Sequence, residues 1–230
     1  MKKLVFLTGA GISAESGIPT FRGAADGLWE NYKVEDVATA YAIRDNPSLV
    51  YRFINELRNK YKDCQPNLAH KIIAELEKDY NITVITQNID NLHEKADSTN
   101  IIHLHGDLSK VRAIDNEELL FDYPEEGIFP GDTINGYKVR PHIVLFWENV
   151  PNMEIASKEL LDADICVVIG TSFSVHPASL LIQYVKYGNP IYYIDSNPVP
   201  LPEYPDVITI KAKATEGIKE ILKILKNENN

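Results

Sequence analysis

The sequence predicts an α/β fold in which a doubly wound, mostly parallel sheet carries a smaller inserted module. Three observations favour this fold. Short apolar runs alternate with helix-like stretches along most of the 230 residues. A glycine-rich turn directly follows the first apolar run. Residues 108–141 lack the alternation and are rich in acidic residues, glycine and proline, which indicates an insertion with its own structure.

The composition disfavours several classes of function. The chain is 44% hydrophobic, so it can bury a sizeable core, and its formal net charge is −10. This acidic balance argues against a nucleic acid or an anionic membrane as the main partner. No apolar run is long enough to span a bilayer, and no signal peptide is expected before the first strand. The two cysteines do not suggest a disulfide framework, so we expect a cytoplasmic protein.

The first half of the chain contains three predicted strands and a helical region. The strands are expected at residues 4–7, 82–86 and 101–104, and residues 17–33 are expected to form a loop. Helices are expected within residues 34–80, where Pro47 begins one helix and Asn67 caps another.

The alternation of strands and helices resumes at Pro141, after the inserted module. Strands are expected at 142–146, 164–169, 190–194 and 207–210, and helices at 152–162, 178–187 and 215–225. We therefore expect a single domain over residues 1–230 that has two lobes. The large, Rossmann-like lobe comprises residues 1–33, 81–107 and 142–230, and the small lobe comprises residues 34–80 and 108–141.

Polar motifs follow five of the predicted strands directly. They are Gly9-Ala10-Gly11, Gln87-Asn88-Ile89-Asp90, His105-Gly106-Asp107, Gly170-Thr171-Ser172 and Ser196-Asn197. Because the carboxyl ends of parallel strands line one crevice, we expect these motifs to converge on one site. The spacing from Gly9 to Gly11 and Ala14 fits a turn that binds a pyrophosphate at a helix N-terminus. Each motif taken alone is also typical of an ordinary turn or helix cap.

His105 is the candidate for proton transfer, because histidine changes its charge near neutral pH. His103, two residues earlier, is the internal control for this assignment. Asn88 and Asp90 are candidates for holding a sugar hydroxyl or a water molecule, although such residues also begin helices.

Four motifs together resemble the sirtuins, the NAD-dependent protein-lysine deacylases. They are the stretch from Gly9 to Arg22, Thr86-Gln87-Asn88-Ile89-Asp90, His105-Gly106 and Gly170-Thr171-Ser172. Residues 24–29 and 34–39 are similar to the bacterial and mitochondrial branch that includes desuccinylases.

The resemblance implies that NAD lies along the strand ends and is consumed as a co-substrate. The acyl oxygen of a substrate lysine would attack the ribose and expel nicotinamide, and His105 would act as the base, with Asn88 and Asp90 in the pocket that receives nicotinamide. The products would be free lysine and O-acyl-ADP-ribose. The NAD-binding residues implied are Gly9, Ala10, Gly11, Ser13, Ala14, Phe21, Arg22, Gln87, Asn88, Ile89, Asp90, Gly170, Thr171, Ser172, Ser196, Asn197 and Ala214. The implied partners are acyl-lysine proteins, and we expect a monomer.

The inserted module departs from the sirtuin pattern. Typical sirtuins hold a structural zinc there with two cysteine pairs, whereas residues 108–141 contain no cysteine and Ala113 stands near the place of the first thiol. We therefore predict that the chain binds no structural zinc. The module would need a small core of its own, for which the candidates are Leu119, Phe121, Tyr123, Ile128, Phe129 and Tyr137.

The expected substrate-binding residues depart from the pattern as well. Trp147 replaces a glycine after Phe146, where its indole would narrow the peptide channel, cover the acyl-lysine or simply join the core. Ile54 and Leu57 stand where desuccinylases carry a tyrosine and an arginine, which favours an uncharged acyl group. Arg58 is one residue away, and one residue rotates a helical side chain by about 100°.

Two other functions remain open from the sequence. The altered module and Trp147 leave room for an NAD glycohydrolase or an ADP-ribosyltransferase on the same scaffold. A catalytically idle NAD-binding sensor is the other alternative, and the presence of His105 argues against it.

Overall fold

The computed structural model describes residues 1–20, 32–204 and 206–228. Ten strands lie in these residues: β1 (Lys3–Thr8), β2 (Asn81–Thr86), β3 (Ile101–His103), β4 (Gly106–Ala113), β5 (Leu120–Asp122), β6 (Thr133–Ile134), β7 (Tyr137–Ile143), β8 (Ile165–Ile169), β9 (Ile191–Asp195) and β10 (Ile208–Lys211). They form two sheets.

The larger sheet has six parallel strands in the order β10-β9-β8-β1-β2-β3. The chain leaves β1 toward one edge of this sheet and later returns to build the other edge from β8. The predicted doubly wound α/β fold is therefore confirmed. Both faces of the sheet are covered, since Leu4 and Phe6 of β1 enter one buried cluster and Val5 and Leu7 enter another. A strand that is buried on both sides is apolar at every position, which is why β1 stands out in the sequence.

Eight α-helices are described: α1 (Ala10–Ser13), α2 (Val34–Val37), α3 (Ala40–Asp45), α4 (Pro47–Tyr61), α5 (Leu68–Glu75), α6 (Leu92–Lys95), α7 (Met153–Leu161) and α8 (Ala214–Glu228). Pro47 is the first residue of α4, and the Asn67 side chain caps α5 by accepting from the Ala69 N–H at 2.9 Å. The helix expected at 178–187 is a 3₁₀ helix that ends at Tyr184. None of the helices in the described part of the chain is long and apolar enough to cross a membrane.

The smaller sheet is antiparallel, with the strand order β5-β4-β7-β6. The strand expected at 142–146 is wrong, because β7 begins before Pro141 and pairs with β4 in this sheet. Val139, Pro141 and Ile143 point inward in alternation, so a single strand runs through the proline. Pro141 stands opposite Val111, beside a register irregularity in β4, and such places tolerate a proline that cannot donate to its neighbour.

A third buried cluster joins α2, α3 and α4 to the smaller sheet. Of the core residues expected for the inserted module, Tyr123 and Ile128 are buried in this cluster, whereas Phe129 and Tyr137 are exposed. The helix α5 packs on the parallel sheet through Ile72 and Ile73, although the expected small lobe included it. The division of the chain into two lobes stays a prediction.

Side chains of α4 hold the inserted module by hydrogen bonds as well as by apolar contact. The amide oxygen of Asn55 accepts from the Tyr123 hydroxyl at 2.8 Å and from the Ile128 N–H at 3.2 Å. The amide nitrogen of Asn55 donates to the Ile128 carbonyl at 2.9 Å. The Tyr51 hydroxyl donates to the Val139 carbonyl, and the Arg58 guanidinium stacks over the Tyr123 ring. Asn55 is therefore the polar centre of this contact.

Replacing Asn55 with alanine should lower the free energy of unfolding by about 2 kcal/mol, because partly buried partners on Tyr123 and Ile128 would lose their hydrogen bonds. Urea unfolding measures this change. Asn59→Ala is the matched control on the exposed side of α4, and it should change stability by no more than about 0.5 kcal/mol. Equal effects of the two variants would contradict the role given to Asn55.

Two buried histidines meet where α5 and α6 pack beside β1. The rings of His70 and His93 lie 4.8 Å apart, and His93 Nε2 shares a hydrogen bond with the Thr8 hydroxyl. The other three ring nitrogens of the pair have no hydrogen-bond partner among the described residues. Burial lowers the pKa of His70 from 6.5 to about 4 and that of His93 well below 6.5. Both rings are therefore neutral in the folded chain.

This pair should make the protein sensitive to acid. Unfolded histidines titrate near pH 6.5, so the stability that comes from the neutral rings is fully present above that pH and is lost as the pH falls toward 4. His70 alone should cost about 2 to 3 kcal/mol between pH 7 and pH 4.5. We expect His70→Leu to reduce that loss in urea unfolding, whereas His176→Leu, at an exposed ring, should leave it unchanged. An identical loss in His70→Leu and the unchanged protein would refute this account.

Candidate active site

The carboxyl ends of β1 and β8 lie side by side at the point where the strand order reverses. In open α/β sheets this switch point forms the ligand-binding crevice. The turns that follow the two strands touch through glycines, because a Cβ on Gly11 would lie only 2.5 Å from Gly170 Cα. Gly170 also has a positive φ of +66°. The glycines of both motifs therefore allow the two strand ends to meet.

Three polar side chains that the sequence predicts for the site form a connected network. The Asn88 amide donates to the Ser13 hydroxyl at 3.1 Å and to the Gly9 carbonyl at 3.2 Å. The Ser13 hydroxyl in turn donates to the Asp90 carboxylate at 2.9 Å. Burial raises the pKa of Asp90, and hydrogen bonds from the Leu92 N–H and Ser13 oppose that rise. The network joins the turn after β1 to the loop after β2.

Gln87 connects this network to β8 and to His105. Its side-chain amide donates to the Thr171 hydroxyl at 3.1 Å, and its backbone carbonyl lies 2.8 Å from His105 Nδ1. Because a carbonyl oxygen can only accept, Nδ1 of His105 carries the proton and Nε2 holds a free lone pair. Burial lowers the pKa of His105, although the bond to Gln87 opposes this. His105 is therefore a neutral ring whose Nε2 makes no hydrogen bond within the described residues.

His103 differs from His105 in both its contacts and its pKa. Its Nδ1 lies 3.3 Å from the Asn88 carbonyl, and its Nε2 lies 2.6 Å from the Glu94 carboxylate. Burial lowers the pKa of His103, but Glu94 outweighs burial and the net shift is upward. Both ring nitrogens of His103 are therefore bonded to residues of or beside the loop after β2, whereas only Nδ1 of His105 is bonded within the described residues.

Comparison with known proteins identifies the family. A family model described as the Sir2 family matches residues 9–177, which include the turn after β1, the loop after β2, His105 and the turn after β8. The chain belongs to the Sir2 family. An NAD-dependent protein deacylase of Bacteroides thetaiotaomicron is 46% identical over 231 residues, which cover 98% of both chains. Another NAD-dependent protein deacylase, of Aquifex aeolicus, is 39% identical over 232 residues, covering 98% of this chain and 96% of its own.

Solved structures of Sir2 proteins agree with this result. The structure of a Sir2 homologue in complex with NAD has a TM-score of 0.86 and 39% identity, and the match covers 100% of this chain and 91% of that one. A mutant Sir2 homologue in complex with ADP-ribose has a TM-score of 0.84 and 39% identity, with coverage of 99% and 93%.

The remaining residues expected to bind NAD lie along the same edge of the parallel sheet or outside the described residues. Gly170 and Thr171 follow β8 beside the network, but the Ser172 hydroxyl pairs with Ser174. Ser196 and Asn197 are exposed after β9, and Ala214 is buried at the start of α8. Ala10 and Ala14 lie in the turn after β1, and Ile89 packs against the small-sheet cluster. Phe21 and Arg22 lie outside the described residues.

The expected acyl-binding residues lie in the interior. Ile54 and Leu57 are almost completely buried in the cluster between α4 and the smaller sheet. Very little of their surface is exposed among the described residues. Arg58, one residue on, stacks on Tyr123 and lies 3.4 Å from its carbonyl.

Trp147 occupies an exposed and strained turn. The Glu148 N–H donates to the Leu145 carbonyl at 3.0 Å and closes a turn that has Phe146 and Trp147 at its centre. Trp147 has a φ of +73°, in the left-handed region that favours glycine, and its side chain is 80% exposed. The exposed indole rules out a core role for Trp147. A turn with positive φ at its third residue also explains why a glycine suits this position.

The inserted module does not fit the zinc site that is typical of the family. Ala113 brings only a buried methyl group, and the Asp132 carboxylate already accepts from the Phe129 N–H at 2.7 Å. In residues 1–20, 32–204 and 206–228 there is no cluster of three or more histidine, cysteine or acidic side chains that is suited to a metal. The absence of zinc in the protein stays a prediction.

The sequence analysis missed a helix-capping residue and a buried charged pair. Glu15 caps α8, since its carboxylate accepts from the N–H and the hydroxyl of Thr215. Arg112 and Glu148 form a buried charged contact beside Trp147. Neither has a local motif.

Replacing Trp147 with glycine should stabilise the protein by about 1 kcal/mol, because glycine adopts a positive φ without the steric cost of a side chain. Urea unfolding at neutral pH measures this gain. Phe146→Gly is the control in the same turn, and it should destabilise the protein because Phe146 has no positive φ to relieve. A loss of stability in Trp147→Gly would show that the indole makes favourable contacts that outweigh the strain.

Proposed function

We propose that this chain is an NAD-dependent protein-lysine deacylase in which Nε2 of His105 is the general base. The observation that carries the proposal is the hydrogen bond from His105 Nδ1 to the Gln87 carbonyl, which leaves Nε2 deprotonated and without a hydrogen bond to any described residue. The names of the Sir2 relatives and of the complexes with NAD and ADP-ribose support the reaction.

The crevice at the switch point suits NAD. Its floor is formed by the glycine turn after β1 and by Gly170, which touch each other. The buried side chain of Asn88 lies on the β2 side of this turn, where it donates to the Ser13 hydroxyl and the Gly9 carbonyl. We assign the pyrophosphate to the turn from Gly9 to Ala14 and the adenosine half to the ends of β8, β9 and β10. NAD supplies an electrophilic ribose carbon and nicotinamide as the leaving group.

The protein's own residues have separate tasks in this reaction. The network of Asn88, Ser13 and Asp90 presents an oriented amide and a carboxylate to the nicotinamide half. Nε2 of His105 takes up the proton when a ribose hydroxyl becomes a nucleophile, and the Gln87 carbonyl keeps the ring in the required tautomer. Burial of His105 lowers its pKa, so the ring is ready to accept a proton at neutral pH.

We further propose acyl-lysine side chains of proteins as substrates, with uncharged acyl groups preferred, because Ile54 and Leu57 are apolar and buried. A monomer in a reducing cytoplasm fits the two free cysteines and the net charge of −10, which also disfavours nucleic acid and anionic membranes. Size-exclusion chromatography with light scattering tests the monomer, and a panel of acetyl-, butyryl- and succinyl-lysine peptides tests the acyl preference.

His105→Ala should lower deacetylation of an acetyl-lysine peptide by at least about 100-fold, because it removes the general base. Stabilisation of the folded protein by NAD should persist, as measured by the shift in melting temperature. In the unchanged enzyme, kcat/KM should rise with pH through a pKa below 6.5, since burial lowers that of His105.

His103→Asn is the control for this assignment, because both ring nitrogens of His103 are bonded in the folded chain. That variant should keep the acid limb of the pH profile even where its rate is reduced. Deacetylation that persists in His105→Ala would refute the role of His105. Free ADP-ribose formed at the same rate without peptide would instead assign the chain to the NAD glycohydrolases.

A further inference from the structure

A second pocket, of about 320 Å³, opens beside the turn that contains Trp147. None of its lining residues belongs to the network around His105. They are Arg112, Glu117, Trp147, Glu148, Asn149 and Pro151.

The floor of this pocket is a buried cation without hydrogen bonds. The Arg112 side chain is only 5% exposed, and its guanidinium makes no hydrogen bond with any described residue. Its closest carboxylate oxygens belong to Glu117 and Glu148, each 3.8 Å from Nη2, which is beyond hydrogen-bond range. A guanidinium has five N–H donors, and those that lack a protein acceptor are available to a ligand that enters the pocket. The pocket therefore presents donors that need an acceptor.

The two neighbouring carboxylates do not meet this need. Glu148 accepts from both terminal nitrogens of Arg140, at 2.7 and 3.3 Å, and from the Leu145 N–H at 2.9 Å. Its charge is thus shared between two arginines. The Glu117 side chain is 65% exposed and can move away from Arg112. Burial and the positive charge of Arg140 lower the pKa of Arg112, as expected for a cation that lacks a dedicated partner.

The pocket also lies within reach of a substrate bound at His105. The Val144 N–H donates to the His105 carbonyl at 2.9 Å, and Trp147 follows three residues later. Three residues of chain span at most about 10 Å. The same length covers up to three residues of an extended peptide on either side of the lysine.

We propose that this pocket binds the carboxylate of an aspartate or glutamate that lies within three residues of the acyl-lysine in the substrate protein. The inference rests on the proposed deacylase function and adds a sequence preference to it. The planar guanidinium of Arg112 binds the carboxylate with two parallel hydrogen bonds, Glu117 moves out into solvent, and the Trp147 indole covers the pair. A carboxylate on a bound peptide is held near the pocket at a high effective concentration, so it is favoured over a free carboxylate in solution.

Labelled acetyl-lysine peptides test this preference in two ways. One series carries glutamate, glutamine or lysine in turn at each of the three positions on either side of the acetyl-lysine. Fluorescence anisotropy gives Kd without turnover, and product formation gives kcat/KM. At one position we expect the glutamate peptide to bind about tenfold more tightly than the glutamine peptide, and the lysine peptide to bind most weakly. High salt should reduce the preference.

Two variants test whether this pocket is the source of the preference for glutamate. Arg112→Gln should abolish the preference for glutamate, but it disturbs Glu148 and can affect folding. Glu117→Gln changes an exposed side chain, and it should increase the preference for glutamate over glutamine about twofold because it removes the competing carboxylate. A preference that falls in Glu117→Gln would overturn the proposal.

Three further outcomes would also decide the question. Equal Kd values for glutamate and glutamine peptides at every position would overturn the proposal. A rise in melting temperature with succinate alone, lost in folded Arg112→Gln, would assign the pocket to a free carboxylate instead. If no peptide is deacetylated but the glutamate peptide still binds more tightly, the pocket stands and the proposed deacylase function falls.

Discussion

The site depends on the contact between the glycine turns after β1 and β8. A Cβ on Gly9 or Gly11 would press into the backbone of Gly170, so any side chain there would force the two strand ends apart. Their separation sets the position of Ser13 on one side and Thr171 on the other. Because Gln87 bridges to Thr171 and also holds His105, the position of the proposed base depends on the same contact. The glycines therefore serve the packing of the sheet as much as the approach of a phosphate.

The parts of the fold that are buried on both sides could be predicted from the sequence. β1 and β8 are apolar at nearly every position, and their polar motifs come directly after the last buried residue, so strands and strand ends were both visible. β7 was not visible because it is buried on one side only and Pro141 looked like a boundary. β4 was not visible because polar residues, Asp107 and Arg112, stand at its buried positions. A proline in the middle of a strand is acceptable here because β4 is irregular opposite it, and that irregularity is a property of the pairing.

Some residues of the site could likewise be predicted from the local sequence, whereas others depend on contacts with distant parts of the chain. The residues that follow parallel strands come together because the register of the sheet brings the strand ends together. Their convergence could therefore be predicted without knowing their hydrogen-bond partners. Ile54 and Leu57 were assigned by position in a family pattern, which gives residue type but not exposure, and packing against the smaller sheet buries them. Arg112 had no local signal, since a buried arginine is distinguished only by carboxylates that come from other parts of the chain. The left-handed φ of Trp147 likewise depends on the turn that Glu148 closes.

His105 lies at the junction of the two sheets, and it therefore has hydrogen bonds on both sides of that junction. β3 ends in the parallel sheet at His103, and β4 begins the smaller sheet at Gly106. Gly106 has a φ of +86°, and a Cβ there would overlap the His142 carbonyl, so the chain can change sheets within three residues only with glycine at this point. The ring of His105 is anchored to Gln87 beside the parallel sheet, whereas its backbone carbonyl accepts from Val144, just beyond the end of β7. A shift of the smaller sheet would therefore move the backbone of His105 while its ring stays tied to Gln87, so the position of Nε2 depends on how the two sheets pack together.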